Sequence, residues 1–349
     1  MKERRLGLWE KYLTLWVALC ISTGTALGRF FPQISGFLAR LEIAHISIPI
    51  AVCLFAMIYP IMVQISFEEI KKAVLNPKPI ALTLLANWVI KPFTMALFAW
   101  LFLSVIFGRF LIPEQIQDYR AGLILLGVAP CTAMVLMWSY LARGNMGHTL
   151  VMTAINSLTM VILYAPLAML LLGISGIRVP WETIALSVAI YILTPLVAGY
   201  LTRSQVLKRK GMEWFKTRLV PILSKISIIA LLITLIVLFT FQGYLIIELP
   251  AIIGMISLGI LVNILVVFGI TYIAGRVMHL SYEDASPAAI IAGSNHFEVA
   301  IAVATTLFGA TSGAALATVV GVLTEVPFML LLVQLCKATK GTFHKPTRA

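Results

Sequence analysis

The sequence predicts an all-α polytopic membrane protein with ten transmembrane helices, and three observations support that prediction. Of its 349 residues, 60% are hydrophobic and only 11% are charged, and the mean hydropathy is +1.00. Soluble domains have roughly 45–50% apolar and about 25% charged residues, so this composition excludes a soluble globule, a disordered chain and a coiled coil. Apolar runs of about 20 residues, the length that a span requires, recur along the chain. The Lys and Arg residues are also distributed along the chain as they are in multi-pass membrane proteins.

Ten candidate spans can be placed, with ends defined to within about two to four residues. They are residues 12–31, 45–65, 79–107, 120–142, 147–173, 181–202, 224–247, 249–275, 286–309 and 311–336. The joins near residues 248 and 310 are tight, so nine spans is the alternative count.

The positive charges support ten spans with both termini in the cytoplasm. In that topology 20 of the 26 Lys and Arg residues lie on the inside, five lie in outside loops, and Lys91 lies within a span. This asymmetry follows the positive-inside rule. We therefore expect a multi-pass protein of the cell membrane, with the lipid bilayer as its surroundings. Topology accounts for the net charge of +12, which gives no reason to expect nucleic acid as a partner.

A division into two five-helix halves follows from this count. Residues 1–180 form the first repeat and residues 181–349 the second, with the basic cytoplasmic loop 203–225 following the sixth span. Because five is an odd number, the two halves have opposite orientations. Such inverted-topology repeats place their binding site near the membrane midplane, between interrupted helices.

Interruptions occur at corresponding places in the two halves. The fourth span contains the segment 127–131 and the ninth span contains the segment 293–296. We expect helix breaks at Pro130, Gly293 and Pro327, since proline removes a backbone donor and clashes with the preceding turn and glycine weakens a helix.

Of the 40 charged residues, only Lys91, Glu298 and Glu325 lie well inside spans. An ionisable group at the bilayer centre costs at least about 2.5–3.5 kcal/mol, which makes each of them a candidate functional residue. Burial disfavours the charged form of Glu325, so protonation near neutral pH is expected there, unless an ion pair with Lys91 locks the carboxylate. Lys91 is either a counter-charge to Glu298 or Glu325, or a side chain that snorkels along a tilted helix.

Cys131 follows Pro130 directly. If a half-helix begins at Pro130, Cys131 lies in its first turn, where the helix dipole favours a thiolate. The alternative is a small apolar filler, as expected for Cys20 and Cys53.

Polar residues surround the second interruption. Asn295 and Glu298 have the spacing of a capping box, so Glu298 caps the second half of the ninth span, couples protons, or does both. His296 lies beside these residues, and a metal site formed with Cys131 is a further alternative. Interhelical hydrogen bonds are expected from the polar residues within spans, namely Asn87, Asn156, Asn263 and Ser294.

Four segments carry distinctive motifs. They are Asn-Trp-Val-Ile-Lys-Pro-Phe-Thr-Met at 87–95, Gly-Val-Ala-Pro-Cys-Thr-Ala-Met at 127–134, Gly-Ser-Asn-His-Phe-Glu-Val-Ala at 293–300 and Leu-Thr-Glu-Val-Pro at 323–327. Together they strongly resemble the arsenite efflux permease family of the bile acid/arsenite/riboflavin transporter superfamily. The resemblance implies a 5+5 inverted repeat in which two discontinuous helices, spans 4 and 9, cross between a core and a panel domain. It also implies that Cys131 and Glu325 are the residues associated with transport.

The function implied by the resemblance is export of arsenite, and of antimonite, from the cytoplasm by proton antiport, giving arsenic resistance. Cys131 would bind As(III), a soft centre for which a thiolate is the natural ligand, with Ser294 and Asn295 as further substrate-binding candidates. Glu325 and Glu298 are the candidates for proton coupling, and no cofactor or enzymatic activity is expected. The alternatives are a sodium-coupled organic-anion symporter on the same fold, an intramembrane enzyme using Cys131 and His296, and a passive channel.

Overall fold

The computed structural model describes residues 13–43, 46–66, 68, 70, 77–132 and 134–343, and these are almost entirely helical. Eight of the predicted cytoplasmic basic residues lie outside the described residues: Lys2, Arg4, Arg5, Lys11, Lys71, Lys72, Lys345 and Arg348.

The first half contains eight described α-helices and one short antiparallel strand pair. The helices are α1 (Leu13–Phe30), α2 (Pro32–Arg40), α3 (Ile48–Gln64), α4 (Pro77–Leu85), α5 (Lys91–Trp100), α6 (Pro113–Val128), α7 (Val135–Leu141) and α8 (Met146–Ile174). The strands are β1 (Glu42–Ile43) and β2 (Ile46–Ser47). A π-helical turn at Ala86–Ile90 joins α4 to α5, a second at Leu101–Ile106 extends α5, and a 3-10 turn follows at Gly108–Phe110.

The second half contains seven described α-helices. They are α9 (Trp181–Val188), α10 (Thr194–Trp214), α11 (Val220–Glu248), α12 (Pro250–Val277), α13 (Tyr282–Gly293), α14 (Phe297–Phe308) and α15 (Gly313–Thr339). The π-helical turns Ala189–Leu193 and Phe215–Leu219 connect α9, α10 and α11, and a 3-10 turn at Lys340–Thr342 follows α15.

Several helices have the length and apolar composition of membrane spans. In the described part of the chain, five helical stretches qualify: Pro77–Ile106, Met146–Ile174, Trp181–Glu248, Pro250–Val277 and Gly313–Thr342. A sixth is a pair formed by α1 and α2, which bend by 98° at their junction. The helices α3 and α14 are apolar but shorter. The chain is therefore a multi-pass helical membrane protein.

The expectation of a loop at 203–225 is wrong, because these residues are helical except at Gly211. Lys and Arg are good helix formers, so α10 continues beyond its apolar part. At Gly211 the backbone turns (φ 76°, ψ 172°), a conformation that a residue without a Cβ adopts at little cost. The stretch Trp181–Glu248 is thus two helical arms that meet at Gly211.

Pro327 does not break the tenth span, contrary to expectation. Helix α15 runs through it from Gly313 to Thr339. Neighbouring helices and Ser or Thr side chains commonly accommodate a proline inside a membrane helix. Here the Thr324 hydroxyl lies 2.9 Å from the Ser257 hydroxyl of α12, beside a groove of about 290 Å³ between α12 and α15.

The helices pack in two groups. In one, α11 lies against α1 and α3, and α10 lies against α3. In the other, α6 contacts α5, α14 and α15, while α12 contacts α5, α13 and α15. The second group contains the three charged residues predicted to lie within spans, Lys91, Glu298 and Glu325.

Close helix packing in the first group depends on small residues. Gly24 and Gly28, spaced as Gly-x-x-x-Gly on α1, lie against α11, where Gly243 faces them. A Cβ at Gly24 would lie 2.6 Å from the Ile236 carbonyl oxygen, and one at Gly243 would lie 2.5 Å from the Thr25 carbonyl oxygen. Small residues in this pattern let membrane helices approach closely, which gives the packing energy that replaces the hydrophobic effect in lipid.

We expect Gly28→Ala to destabilise the protein by about 1–3 kcal/mol, because the methyl group overpacks the α1–α11 contact. Gly269→Ala on α12 is the matched control, since a Cβ there meets nothing within 4 Å and alanine is the better helix former by about 0.8–1 kcal/mol. Thermal unfolding in detergent should show a lower midpoint for the first variant and an equal or higher midpoint for the second. Equal midpoints for both would contradict the packing argument.

Candidate functional site

The two helix interruptions meet inside the second group of helices. Helix α6 ends at Val128 and α7 begins at Val135, while α13 ends at Gly293 and α14 begins at Phe297. An antiparallel bridge pairs Pro130 with Asn295, and the His296 amide donates to the Ala129 carbonyl oxygen (2.8 Å). Each break thus satisfies part of the exposed backbone of the other, as membrane-buried irregular backbone must.

Glu325 reaches this junction from α15. Its Oε1 accepts hydrogen bonds from the Ser294 hydroxyl (2.5 Å) and the Asn295 amide (3.1 Å). Its Oε2 accepts from the same amide and from Asn295 Nδ2, both at 3.1 Å. With only 3% of its surface exposed, the carboxyl group is held by donors from the second break. The structure therefore brings Ser294, Asn295 and Glu325 together.

Lys91 reaches the same residue, Ser294, from α5. Its Nζ donates to the Ser294 carbonyl oxygen (2.8 Å), and the side chain is completely buried. Snorkelling toward water is therefore the wrong interpretation. Among the described residues Lys91 forms no direct ion pair with a carboxylate. Of the two candidate partners, Glu325 is the one that shares a residue with Lys91, since both bond to Ser294.

Cys131 lies in the non-helical part of the first break, not in a first helical turn. Helix α7 begins four residues later, at Val135, so the half-helix that could have started at Pro130 is not formed. Pro130 instead pairs with Asn295 of the second break. Asn156 Nδ2 donates to the Cys131 carbonyl oxygen (3.3 Å), and Asn87 Nδ2 donates to Asn156 Oδ1 (3.2 Å).

Glu298 and His296 form a separate buried pair. His296 Nδ1 and Glu298 Oε2 are 2.8 Å apart, and both side chains are at most 1% exposed. The predicted capping box with Asn295 is absent, because His296 occupies the N-cap position of α14 without a side-chain cap. The Asn295 side chain turns to Glu325 instead.

Several buried polar atoms at the junction have no hydrogen-bond partner among the described residues. They are Asn87 Oδ1, Thr132 Oγ1, Asn295 Oδ1, His296 Nε2 and Glu298 Oε1. Buried polar groups are nearly always paired, so unpaired ones require an explanation such as a ligand or solvent. Thr132 was not among the residues singled out from the sequence, although its position beside Cys131 in an interrupted span is the signal that could have identified it.

The described residues provide no evident set of ligands for a resident metal ion. Within the described ranges, no group of three His, Cys, Asp or Glu side chains is placed to hold one. Cys131 and His296 thus lack a third ligand of these types.

A helical membrane protein in which two interrupted helices meet around buried ionisable groups has the architecture of a transporter. Comparison with known proteins agrees. Residues 51–249 match the sodium bile acid symporter family. A protein of Synechocystis described as an uncharacterized transporter is 55% identical, covering 97% of this chain and 91% of its own.

Two further relatives are arsenical-resistance proteins named Acr3. The one from Alkaliphilus metalliredigens is 44% identical over 98% of this chain and 96% of its own. The one from Corynebacterium glutamicum is 34% identical over 95% of this chain and 90% of its own. The chain therefore belongs to the sodium bile acid symporter family and is a membrane transporter, not an enzyme. The resemblance predicted from the four motifs is confirmed.

We expect Lys91→Met to lower the stability of the protein by about 1–3 kcal/mol, because it leaves the Ser294 carbonyl oxygen without its donor and Glu325 without its cation. Lys78→Met makes the same chemical change at an exposed position and should alter stability by less than about 0.5 kcal/mol. Thermal unfolding of both variants in detergent measures the difference. A Lys91 variant as stable as the Lys78 variant would contradict the assigned contact.

Proposed function

We propose that this protein exports arsenite from the cytoplasm across the cell membrane in exchange for protons, and that antimonite shares the site. The observation that carries the proposal is the bridge between Pro130 and Asn295, which brings Cys131, the residue after Pro130, to the junction that holds the Ser294–Asn295–Glu325 cluster. One soft ligand and one titratable group then lie within a single buried site. The two relatives named for arsenical resistance, which align over nearly the whole chain, support arsenic as the substrate.

The chemistry of As(III) fits a single thiol. Near neutral pH arsenite is the uncharged hydroxide As(OH)3, whose arsenic prefers sulfur ligands. The Cys131 Sγ–As bond forms as one As–OH bond breaks, and the hydroxide leaves as water with the thiol proton. The reverse reaction consumes one water and restores the thiol. Three thiolates would hold arsenic too tightly for turnover, whereas one thiol permits release.

Glu325 is the proposed proton carrier. Arsenite binds from the cytoplasm while Glu325 is ionised, and the carboxylate is stabilised by the Ser294 and Asn295 donors and by Lys91. A proton from outside neutralises Glu325 as arsenite leaves, and the proton is released inside on return. Glu298 is a second candidate for proton coupling, because its pairing with His296 places a titratable dyad next to the same break.

We also propose ten spans in a 5+5 inverted repeat, with both termini cytoplasmic. Counting α6 with α7 and α13 with α14 as broken spans, and dividing Trp181–Glu248 at Gly211, gives ten. The packing supports the repeat, because α1 on α11 in the first group corresponds to α10 on α3. The first group would be the panel domain and the second the core domain.

The rival function is sodium-coupled symport of organic anions, which the family description names. We favour protons because Lys91 already supplies a buried cation at Ser294, whose carbonyl oxygen accepts from Lys91 and whose hydroxyl donates to Glu325. An ammonium fixed to the chain takes the place in which a carrier would otherwise hold a mobile cation among oxygen ligands. An intramembrane enzyme and a passive channel have no comparable support, since broken-helix repeats suit alternating access.

We expect Cys131→Ala to abolish arsenite resistance in cells that lack other arsenite efflux. Losing even an outer-shell partner lowers the affinity or activity of a metal site by about 10–100-fold. Losing the thiol itself should therefore reduce arsenite efflux by more than about tenfold. Cys53→Ala, on α3 in the other group of helices, is the matched control and should retain resistance. Arsenite efflux by Cys131→Ala at the wild-type rate would refute the assigned site.

Proton coupling is tested in everted vesicles with an imposed pH gradient. Arsenite uptake should require an acidic interior and should be unaffected by replacing sodium with choline. Glu325→Gln should remove the dependence on the gradient, because the amide cannot titrate and its NH2 group meets the donors of Asn295. Sodium-dependent uptake, or a gradient dependence that survives in Glu325→Gln, would favour the rival function.

A further inference from the structure

The orientation of two amide side chains at the junction is fixed by their hydrogen bonds. The Cys131 carbonyl oxygen can only accept, so it fixes the Asn156 amide with its nitrogen facing that oxygen (3.3 Å). Asn156 Oδ1 must then accept from Asn87 Nδ2 (3.2 Å). Asn87 Oδ1 is left as a fully buried acceptor with no partner among the described residues.

Asn295 is oriented in the same way by a different group. Its Nδ2 donates to Glu325 Oε2 (3.1 Å), so its Oδ1 is turned away from the carboxylate and is a second unpaired, fully buried acceptor. Asn87 and Asn295 belong to the two networks that flank Cys131, one through Asn156 and one through the bridge to Pro130.

An unpaired acceptor in the membrane interior needs a donor from whatever binds there. A fully ionised oxyanion such as sulfate supplies only acceptors and would be repelled by amide oxygens and by Glu325. A neutral hydroxide supplies O–H donors. After the Cys131 thiol has replaced one hydroxyl group, As(OH)3 retains two of them.

We propose that Asn87 Oδ1 and Asn295 Oδ1 determine specificity by accepting hydrogen bonds from the hydroxyl groups of the thiol-bound metalloid. The proposal rests on the function proposed above and names the groups that select a trihydroxy metalloid over anions and over alkylated arsenicals. Thr132 Oγ1, which is also buried and unpaired among the described residues, belongs to the residue that follows Cys131 and can either donate or accept.

Methylated trivalent arsenicals provide a series that isolates the hydroxyl groups. As(OH)3, CH3As(OH)2 and (CH3)2AsOH each bind one thiol by losing one hydroxide, and retain two, one and no hydroxyl groups. Methyl and hydroxyl groups are similar in size, so each step removes a donor with little change of shape.

Binding is measured on full-length protein in detergent in which Cys20, Cys53 and Cys336 are replaced by alanine. The measurement is the concentration of each arsenical that protects Cys131 from a maleimide, divided by the concentration that half-saturates glutathione. This ratio removes the intrinsic thiol affinity of each compound. In the parent protein we expect binding to weaken by about tenfold for each hydroxyl replaced by methyl.

Asn87→Ala and Asn295→Ala should each reduce the discrimination between As(OH)3 and CH3As(OH)2 to less than about threefold. Asn263→Ala is the matched control. That asparagine is also buried on an interior helix, but its Oδ1 accepts from Thr94 (2.6 Å) and its unpaired atom is the donor Nδ2. The Asn263→Ala variant should discriminate between As(OH)3 and CH3As(OH)2 as strongly as the parent protein does. Two asparagine variants tested separately keep the result interpretable if one of them fails to fold.

Equal normalised protection by all three arsenicals in the parent protein would overturn the proposal. So would unchanged discrimination in the folded Asn87 or Asn295 variants. Failure of the proposed function gives a different result, because arsenite would then not protect Cys131 at all.

Discussion

Backbone polar groups cannot be left unpaired inside a membrane, and this constraint organises the whole site. Two helices are interrupted in the same region, and each interruption exposes amide and carbonyl groups that water cannot reach. The structure pairs them with each other at Pro130 and Asn295 and with side chains from α5, α8 and α15. Ser294 O, Cys131 O and Asn295 N receive Lys91, Asn156 and Glu325 as partners. The residues proposed for transport are therefore also the ones that complete the backbone.

This dual role links the chemistry to the conformation. A carboxylate at Glu325 accepts from the Ser294 hydroxyl and from both nitrogens of Asn295. A protonated carboxyl group would bring a donor into a place that already holds three. Proton binding would therefore change the hydrogen bonds at the second break, because the Ser294 hydroxyl can turn to accept but the two Asn295 nitrogens cannot. A carrier needs such a dependence, since the charge state of the site has to select between arrangements of the helices.

The sequence predicts the local features of this site and misses the ones that depend on distant partners. Pro130 and Gly293 mark the interruptions because their effect on a helix is local. Hydropathy identifies Lys91 and Glu325 as intramembrane charges, but Lys91 bonds to a carbonyl 203 residues away. The spacing of Asn295 and Glu298 fits a capping box, but the Asn295 side chain donates to Glu325 on another helix instead. Pro327 would break an isolated helix, whereas packing against α12 keeps α15 continuous. Each of these errors at the site arises where a tertiary contact overrides a local preference.

The non-helical position of Cys131 bears on how arsenic and a proton would exclude each other from the proposed site. In a non-helical segment the thiol does not depend on a helix dipole, and the bridge from Pro130 to Asn295 brings Cys131 to the same junction as Lys91, which donates to the Ser294 carbonyl oxygen. A single buried cation can neutralise one anion, so a thiolate at Cys131 and a carboxylate at Glu325 compete for it. A bond between Cys131 and arsenic removes the thiol from this competition and leaves the cation to Glu325. In the proposed exchange, arsenic on Cys131 would therefore favour the ionised carboxyl group and, by linkage, a proton on Glu325 would weaken arsenic binding by the same factor. Mutual exclusion of this kind is what the proposed antiport requires, and it would need only three side chains around one charge.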